Sequence, residues 1–195
     1  MYYFFAFILL IITSVSFAQD NSKKEGLMTN YASFIMYHRF GENRYPSTNI
    51  KKEQFLKHIN ELLKPKYNVI NIEQALDAIN NKKLVKDRSV VITIDDAYSS
   101  VFNYAWPIFK KHNIPFTLFV STDVIDNNTP GYMSWEEVRI LRDNGITIGS
   151  QTKSHPHMYK LNRQKIISEL SISNKRFVNE IGSQPKIFAY PYGEY

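Results

Sequence analysis

The chain contains no cysteine. That excludes a disulfide framework, a thiolate metal site and a cysteine nucleophile. It also lacks a block of like charge: 24 Lys and Arg stand against 18 Asp and Glu, a net +6 spread along the sequence. Without a nucleic-acid-binding motif, that excess reads as solvated surface and no nucleic-acid partner is expected. There is no internal repeat, low-complexity block or interdomain linker. What remains is one domain's worth of residues with an ordinary globular balance, 44% hydrophobic and 22% charged, whose 13 Tyr, 13 Phe and 2 Trp can supply a large core.

Charge is absent from Met1–Ala18 as well, a stretch rich in Phe, Leu and Ile. Ser16-Phe17-Ala18 puts small residues at the two positions a signal peptidase reads, and Gln19-Asp20 opens a polar stretch. Residues 1–18 are therefore expected to be a secretory signal peptide, and the protein secreted or periplasmic. The alternative is an uncleaved membrane anchor, for which 18 residues is short against a span of about 20. A membrane is a partner only through that segment. Residues 19–30 are expected to be a flexible leader, and residues 31–195 the folded domain.

From Tyr31 onward short apolar runs alternate with amphipathic segments. Strands are expected at Phe34–Tyr37, Val90–Ile94, Phe116–Val120, Ile146–Ile148 and Lys186–Ala189. Lys51–Lys64 carries Phe55, Leu56, Ile59, Leu62 and Leu63 on one helical stripe. Capping-box patterns at Asn71/Gln74 and Ser134/Glu137 open two further helices, the first with Ile72, Ala75, Leu76 and Ile79 inward. A helix about Tyr98–His112 should break or kink at Pro107, and Asn162–Ile181 should end at Gly182. This alternation predicts an α/β fold with a parallel sheet, open or closed into a barrel.

In such folds the site assembles at the carboxyl ends of the strands. Three strands run into reactive side chains there: Asp95-Asp96, then Ser150-Gln151-Thr152-Lys153-Ser154-His155-Pro156-His157, then Tyr190-Pro191-Tyr192-Gly193. Adjacent aspartates at a strand end diverge, so one can bind a cation while the other handles protons. His155 and His157 supply imidazoles. His38 follows the first strand and can reach the same rim, whereas His58 and His112 read as surface residues.

The ordered set Thr93-Ile94-Asp95-Asp96, Ser150–Pro156 and Tyr190-Pro191-Tyr192-Gly193 resembles the polysaccharide deacetylases of the NodB-homology type, carbohydrate esterase family four. Met36-Tyr37-His38, Pro115–Val120 and Ser134–Glu137 agree with it, and Phe188–Gly193 looks most like the branch acting on poly-N-acetylglucosamine exopolysaccharides. The resemblance implies a distorted (β/α) barrel, incomplete at the C-terminus because the family's later segments would lie beyond Tyr195. It implies metal-dependent removal of N-acetyl groups from an acetylated cell-envelope or extracellular polysaccharide. By position, Asp95 would be the general base and the Tyr192 backbone N–H an oxyanion donor. Asp96 and His155 would be metal ligands, with Gln151 where the family usually has histidine. His38, Tyr190 and Pro191 would meet substrate. The divalent metal would be zinc, or cobalt, nickel or another ion, since an amide oxygen is a weaker zinc ligand than imidazole. His157 could replace it only from an awkward position. Ala189-Tyr190 stands where an orienting arginine is common, and Ala97 where a glycine is. Gln151, Ala189 and the family's later histidine, which protonates the leaving amine and would lie beyond Tyr195, motivate an alternative, a catalytically silent carbohydrate-binding relative with Trp135, Tyr45 and Tyr192 as sugar-stacking faces. A small-amide hydrolase is the weaker third reading.

Overall fold

A computed structural model describes residues 27–195; the expected signal peptide and most of the leader lie outside the described residues. The organising element is β7 (Ser89–Ile94), an apolar, β-branched run in which all six residues are buried. A strand that apolar needs cover on both faces, the condition of a parallel sheet. Along its length β7 pairs in parallel with β2 (Ser33–Tyr37), β5 (Asn68–Ile70) and β8 (Thr117–Val120), and β8 pairs in parallel with β9 (Thr147–Ser150). The five-stranded sheet follows the order β2-β7-β8-β9 with β5 beside β7, an open path among the described residues. Because its strands are parallel, their carboxyl ends share one rim.

Helices cover the sheet. α1 (Lys52–Leu62) buries Phe55, Ile59 and Leu62, the i, i+4, i+7 centre of its stripe. Phe55 meets Phe40 at 4.7 Å and Phe109 at 5.2 Å between ring centroids. Leu56 and Leu63, expected inward, are exposed on the flank of that stripe. α2 (Ile72–Asn80) has the expected capping box, Gln74 N donating to Asn71 Oδ1 at 2.8 Å and Asn71 N to Gln74 Oε1 at 3.1 Å. It buries Ile72 and Ala75 but leaves Ile79 exposed, since periodicity marks a face and not how far the layer beneath extends. α5 (Trp135–Asp143) starts at the Ser134/Glu137 capping box, and α6 (Arg163–Ile181) ends at Gly182 in the left-handed conformation, φ 76°.

Four local expectations change. Met28–Thr29, within the expected leader, is a short strand, β1, paired antiparallel with β6 (Val85–Lys86); two residues carry no periodic signal. Pro107 does not kink one helix. A π-helical turn at Val101–Ala105 passes into α3 (Trp106–Lys111), with Pro107 in its first turn where no N–H bond is required. α4 (Thr122–Asp126) was not expected, being too short to show a stripe. Lys186–Ala189 is not a full strand. It joins β9 by one parallel bridge, Ser150 N donating to Ile187 O and Ala189 N to Ser150 O, both at 2.9 Å. Pro185 and Pro191 bracket the segment and lack the N–H groups a longer ladder needs.

Gly149 lies inside β9, two residues before Gln151. A Cβ there would meet two Phe119 ring atoms at 2.4 Å and Ile187 O at 3.2 Å. Gly149→Ala is expected to destabilise the fold by about 1–3 kcal/mol, read as a lower urea midpoint with unchanged slope.

Candidate functional site

Each part of the rim comes from a turn that leaves a strand in an unusual backbone conformation. After β7, Asp96 and Ala97 have φ of 70° and 54°; after β9, Thr152 and His155 have 72° and 56°; past the bridge at Phe188, Tyr192 has 58°. Non-glycine residues are costly there, of order 1–3 kcal/mol each, and such strain clusters at functional sites. Backbone bonds lock the turns: Asp95 N donates to Tyr37 O at 2.9 Å, Gln151 N to Val120 O at 2.9 Å and Met133 N to Ala97 O at 2.9 Å.

These turns surround a cavity of about 760 Å³ lined by His38, Asp95, Asp96, Gln151, His155, Tyr190 and Tyr192, with Tyr98, Tyr132 and Phe119 in its wall. Asp96 Oδ1 and His155 Nε2 are 3.5 Å apart, and His38 Nε2 is 3.9 Å from Asp95 Oδ2. Gln151 is buried, and its Oε1 accepts the Asp96 N–H in a long bond of 3.3 Å. Burial, and secondarily the neighbouring Asp96, push the Asp95 carboxyl up to about 7, a rise that a hydrogen bond with Gln151 partly offsets. Gln151 thus joins the two aspartates. Burial holds His38 below its usual range, opposed by the charge of Asp96 and reinforced by His155 and Arg39.

Other candidates are placed elsewhere. Pro191 is buried and does not line the cavity. His157 is held away from Asp96: its Nδ1 lies 2.6 Å from Glu194 Oε2, and its ring stacks on Tyr192 at 4.1 Å. Tyr192 also meets His155 edge to face at 4.7 Å, so its ring stands between two imidazoles. Trp135 is no sugar platform, being buried against Phe177 with its Nε1 donating to Asp126 at 2.7 Å. Tyr45 is covered on one face by the Arg39 guanidinium, 3.9 Å from its centroid. Sequence reasoning took Tyr98 only as a helix start. It lines the cavity against Tyr132, with ring centroids 4.7 Å apart, and its place two residues past Asp96 was the available signal.

A family model described as polysaccharide deacetylase matches residues 82–195, which contain all three motifs. The chain belongs to the polysaccharide deacetylase family. It is 28% identical over 161 residues to the Bacillus subtilis protein YxkH, covering 83% of this chain and 56% of that one. It is 24% identical over 176 residues to the poly-beta-1,6-N-acetyl-D-glucosamine N-deacetylase of Staphylococcus aureus strain MRSA252, covering 84% of this chain and 60% of that one. The chain therefore spans less than two thirds of the length of these relatives. The Streptococcus pyogenes deacetylase PplD in complex with acetate superposes with a TM-score of 0.76 at 19% identity, over 87% of this chain and 76% of that one. IcaB from Ammonifex degensii does so at 0.73 and 23% identity, over 86% and 76%. Both proteins share its fold, so the parallel sheet is the NodB-type sheet foreseen from the motifs.

Polysaccharide deacetylases of this type generally use a divalent metal. Among the described residues no three His, Asp or Glu side chains converge as an ion site, and the Gln151 amide oxygen is the further side-chain donor beside Asp96. With that donor the residues fit. Asp96 Oδ1 and His155 Nε2 at 3.5 Å are not hydrogen-bonded, and their separation is about that of neighbouring donors around an ion bound at roughly 2.0–2.1 Å. The Gln151 oxygen beside them keeps a second lone pair. One imidazole and two oxygens make a harder donor set than two imidazoles and a carboxylate.

The raised Asp95 has a consequence for stability. Between about pH 4 and 7 the folded chain holds a proton there that the unfolded chain has released, so stability falls as pH rises through that window. The full shift is worth up to about 4 kcal/mol. With divalent ions chelated, Asp95→Asn is expected to lose that fall and to exceed the parent by roughly 2–4 kcal/mol at pH 8, with little difference at pH 4. Urea unfolding across this range checks it.

Proposed function

We propose that this chain carries the catalytic site of a metal-dependent polysaccharide deacetylase, hydrolysing N-acetyl groups on an extracellular or cell-envelope glycan. The observation that carries the reading is the pairing, at one cavity, of a carboxyl raised to about 7 with an Asp96/His155 pair spaced for an ion. In this reading Asp96, His155 and the Gln151 amide oxygen hold a divalent ion, zinc or another such as cobalt or nickel. When bound, that ion polarises the acetyl carbonyl and acidifies water.

The chain's own groups do the rest. Asp95 accepts a proton from the attacking water as its oxygen bonds to the amide carbon. The Tyr192 N–H, aimed by the left-handed turn, donates to the oxyanion that develops. As the carbon–nitrogen bond breaks, the Asp95 carboxyl returns its proton to the departing amine, leaving acetate and a glucosamine-type product. A base serves in both directions when its pKa lies near the working pH; burial lifts the Asp95 carboxyl toward that range, and the charge of an ion held by Asp96 would lower it again. His38 and Tyr190 present a polar edge and a ring face suited to a sugar, while Tyr98, buried under the Arg39 guanidinium 3.3 Å from its centroid, forms part of the wall behind them. The activity named for the Staphylococcus aureus relative makes a β-1,6-linked N-acetylglucosamine polymer the first substrate to try. With residues 1–18 as a signal, that polymer would be met outside the cytoplasm.

The test is acetate release from acetylated glucosamine oligomers by the purified chain supplied with zinc, cobalt or nickel. Asp95→Asn is expected to lower turnover by about 10²-fold or more with metal still bound, whereas Asp96→Ala loses the metal. Normal activity in both variants would overturn the assignment. Glycan binding without turnover under any metal would instead identify the silent carbohydrate-binding relative.

A further inference from the structure

The loop that carries His155 is held by a side chain that no step above uses. Glu169, on the second turn of α6, accepts three hydrogen bonds from it: Lys153 N at 3.1 Å and Ser154 N at 2.8 Å on Oε2, and Ser154 Oγ at 2.8 Å on Oε1. The next amide, His155 N, donates to Thr152 Oγ1 at 3.1 Å. Three successive N–H groups between two left-handed residues, Thr152 and His155, are therefore satisfied inside the loop or by Glu169. Successive amides in such a turn form a concavity suited to an anion. Here the chain's own carboxylate fills it. One turn along the same helix, Ser173 Oγ donates to Thr152 O at 3.1 Å and lies 3.3 Å from Ser150 Oγ, and Phe177 beyond it is buried in the core. Residues 169, 173 and 177 lie on one face of α6, so the helix grips the loop at two points while rooted in the core. The Lys153 side chain points elsewhere, its Nζ donating to Asp123 at 2.7 Å.

We propose that Glu169 is a positioning residue: it fixes the loop so that the His155 imidazole faces Asp96, and thereby sets the affinity of the ion site. Glu169 does not touch His155, and it acts through the two amides and the hydroxyl it accepts from. The metal part rests on the function proposed above; the placement of His155 does not. Without a carboxylate, two loop amides lose their acceptor and the two left-handed residues lose the contact that offsets their strain.

The experiment compares Glu169→Ala, Glu169→Asp and Glu169→Gln with Glu180→Gln, a change on the same helix that weakens the ion pairs to Arg139 and Arg176. In the full chain with chelator present, the His155 ring protons are followed by NMR. They report the loop because the ring meets Tyr192 at 4.7 Å. The expected result is that these resonances shift in the Ala and Asp variants, the latter keeping charge but not reach. They should hold in Glu169→Gln, which retains an acceptor oxygen, and in Glu180→Gln. Unchanged resonances in Ala and Asp, or equal shifts in Glu180→Gln, would overturn the proposal. Zinc competition titrations should then show affinity about 10- to 100-fold weaker in Ala and Asp and near-parental in Gln. Parental affinity in Ala and Asp would overturn the role toward the ion. If the parent chain binds no metal, the proposed function fails while the resonances still decide the placement of His155.

Discussion

The site depends first on the burial of β7. Six consecutive buried residues, hydrogen-bonded to β2, β5 and β8, carry the end of this strand out of the apolar core. The chain leaves it directly into Asp95 and Asp96. A carboxyl held at that boundary is charged with difficulty, which pushes Asp95 up to about 7, against about 4 for a fully hydrated aspartate. The layers packed on β7, centred on Phe55, Phe109 and Phe177, are thus part of the site's electrostatics although none of them reaches it.

The second constraint is strain. Asp96, Ala97, Thr152, His155 and Tyr192 all occupy left-handed backbone, and each turn persists because something outside it over-determines the geometry. For the first turn this is the bond from Met133 N to Ala97 O. For the second it is the grip of α6 through Glu169 and Ser173. For the third it is the stack of Tyr192 between His155 and His157, with Glu194 tethering His157. These supports converge on one cavity, the third resting on the second through His155. Gln151 links two of the turns at their centre, taking the Asp96 N–H while hydrogen-bonded to Asp95.

Much of the fold was legible because the signals were long. The β-branched run at Val90–Ile94, the capping boxes at Asn71 and Ser134, and Gly182 closing a 19-residue helix are each set by local chemistry. Short elements escaped: β1 and α4 have two and five residues, too few for a period. Lys186–Ala189 reads as a strand by composition yet makes one bridge, because the neighbouring prolines limit its ladder. The motif residues and their roles could be named from the family resemblance, which set His155 ahead of His157, but not the contacts that separate the two. The turn at φ 56° sends one toward Asp96 and leaves the other to Glu194.

By itself the sequence determined that this chain builds a parallel α/β sheet whose strands end in carboxylates, imidazoles and a Tyr-Pro-Tyr turn. Alternation, capping and β-branching act over a few residues and need no distant partner. Only the tertiary structure decided which of those groups meet. The 3.5 Å between Asp96 and His155, the Gln151 link to both aspartates and the reach of Glu169 to the loop at Lys153-Ser154 join residues separated by 15 to 59 positions in the chain. Their spacing is set by how helices pack on β7, and the burial that lifts Asp95 belongs to that packing alone.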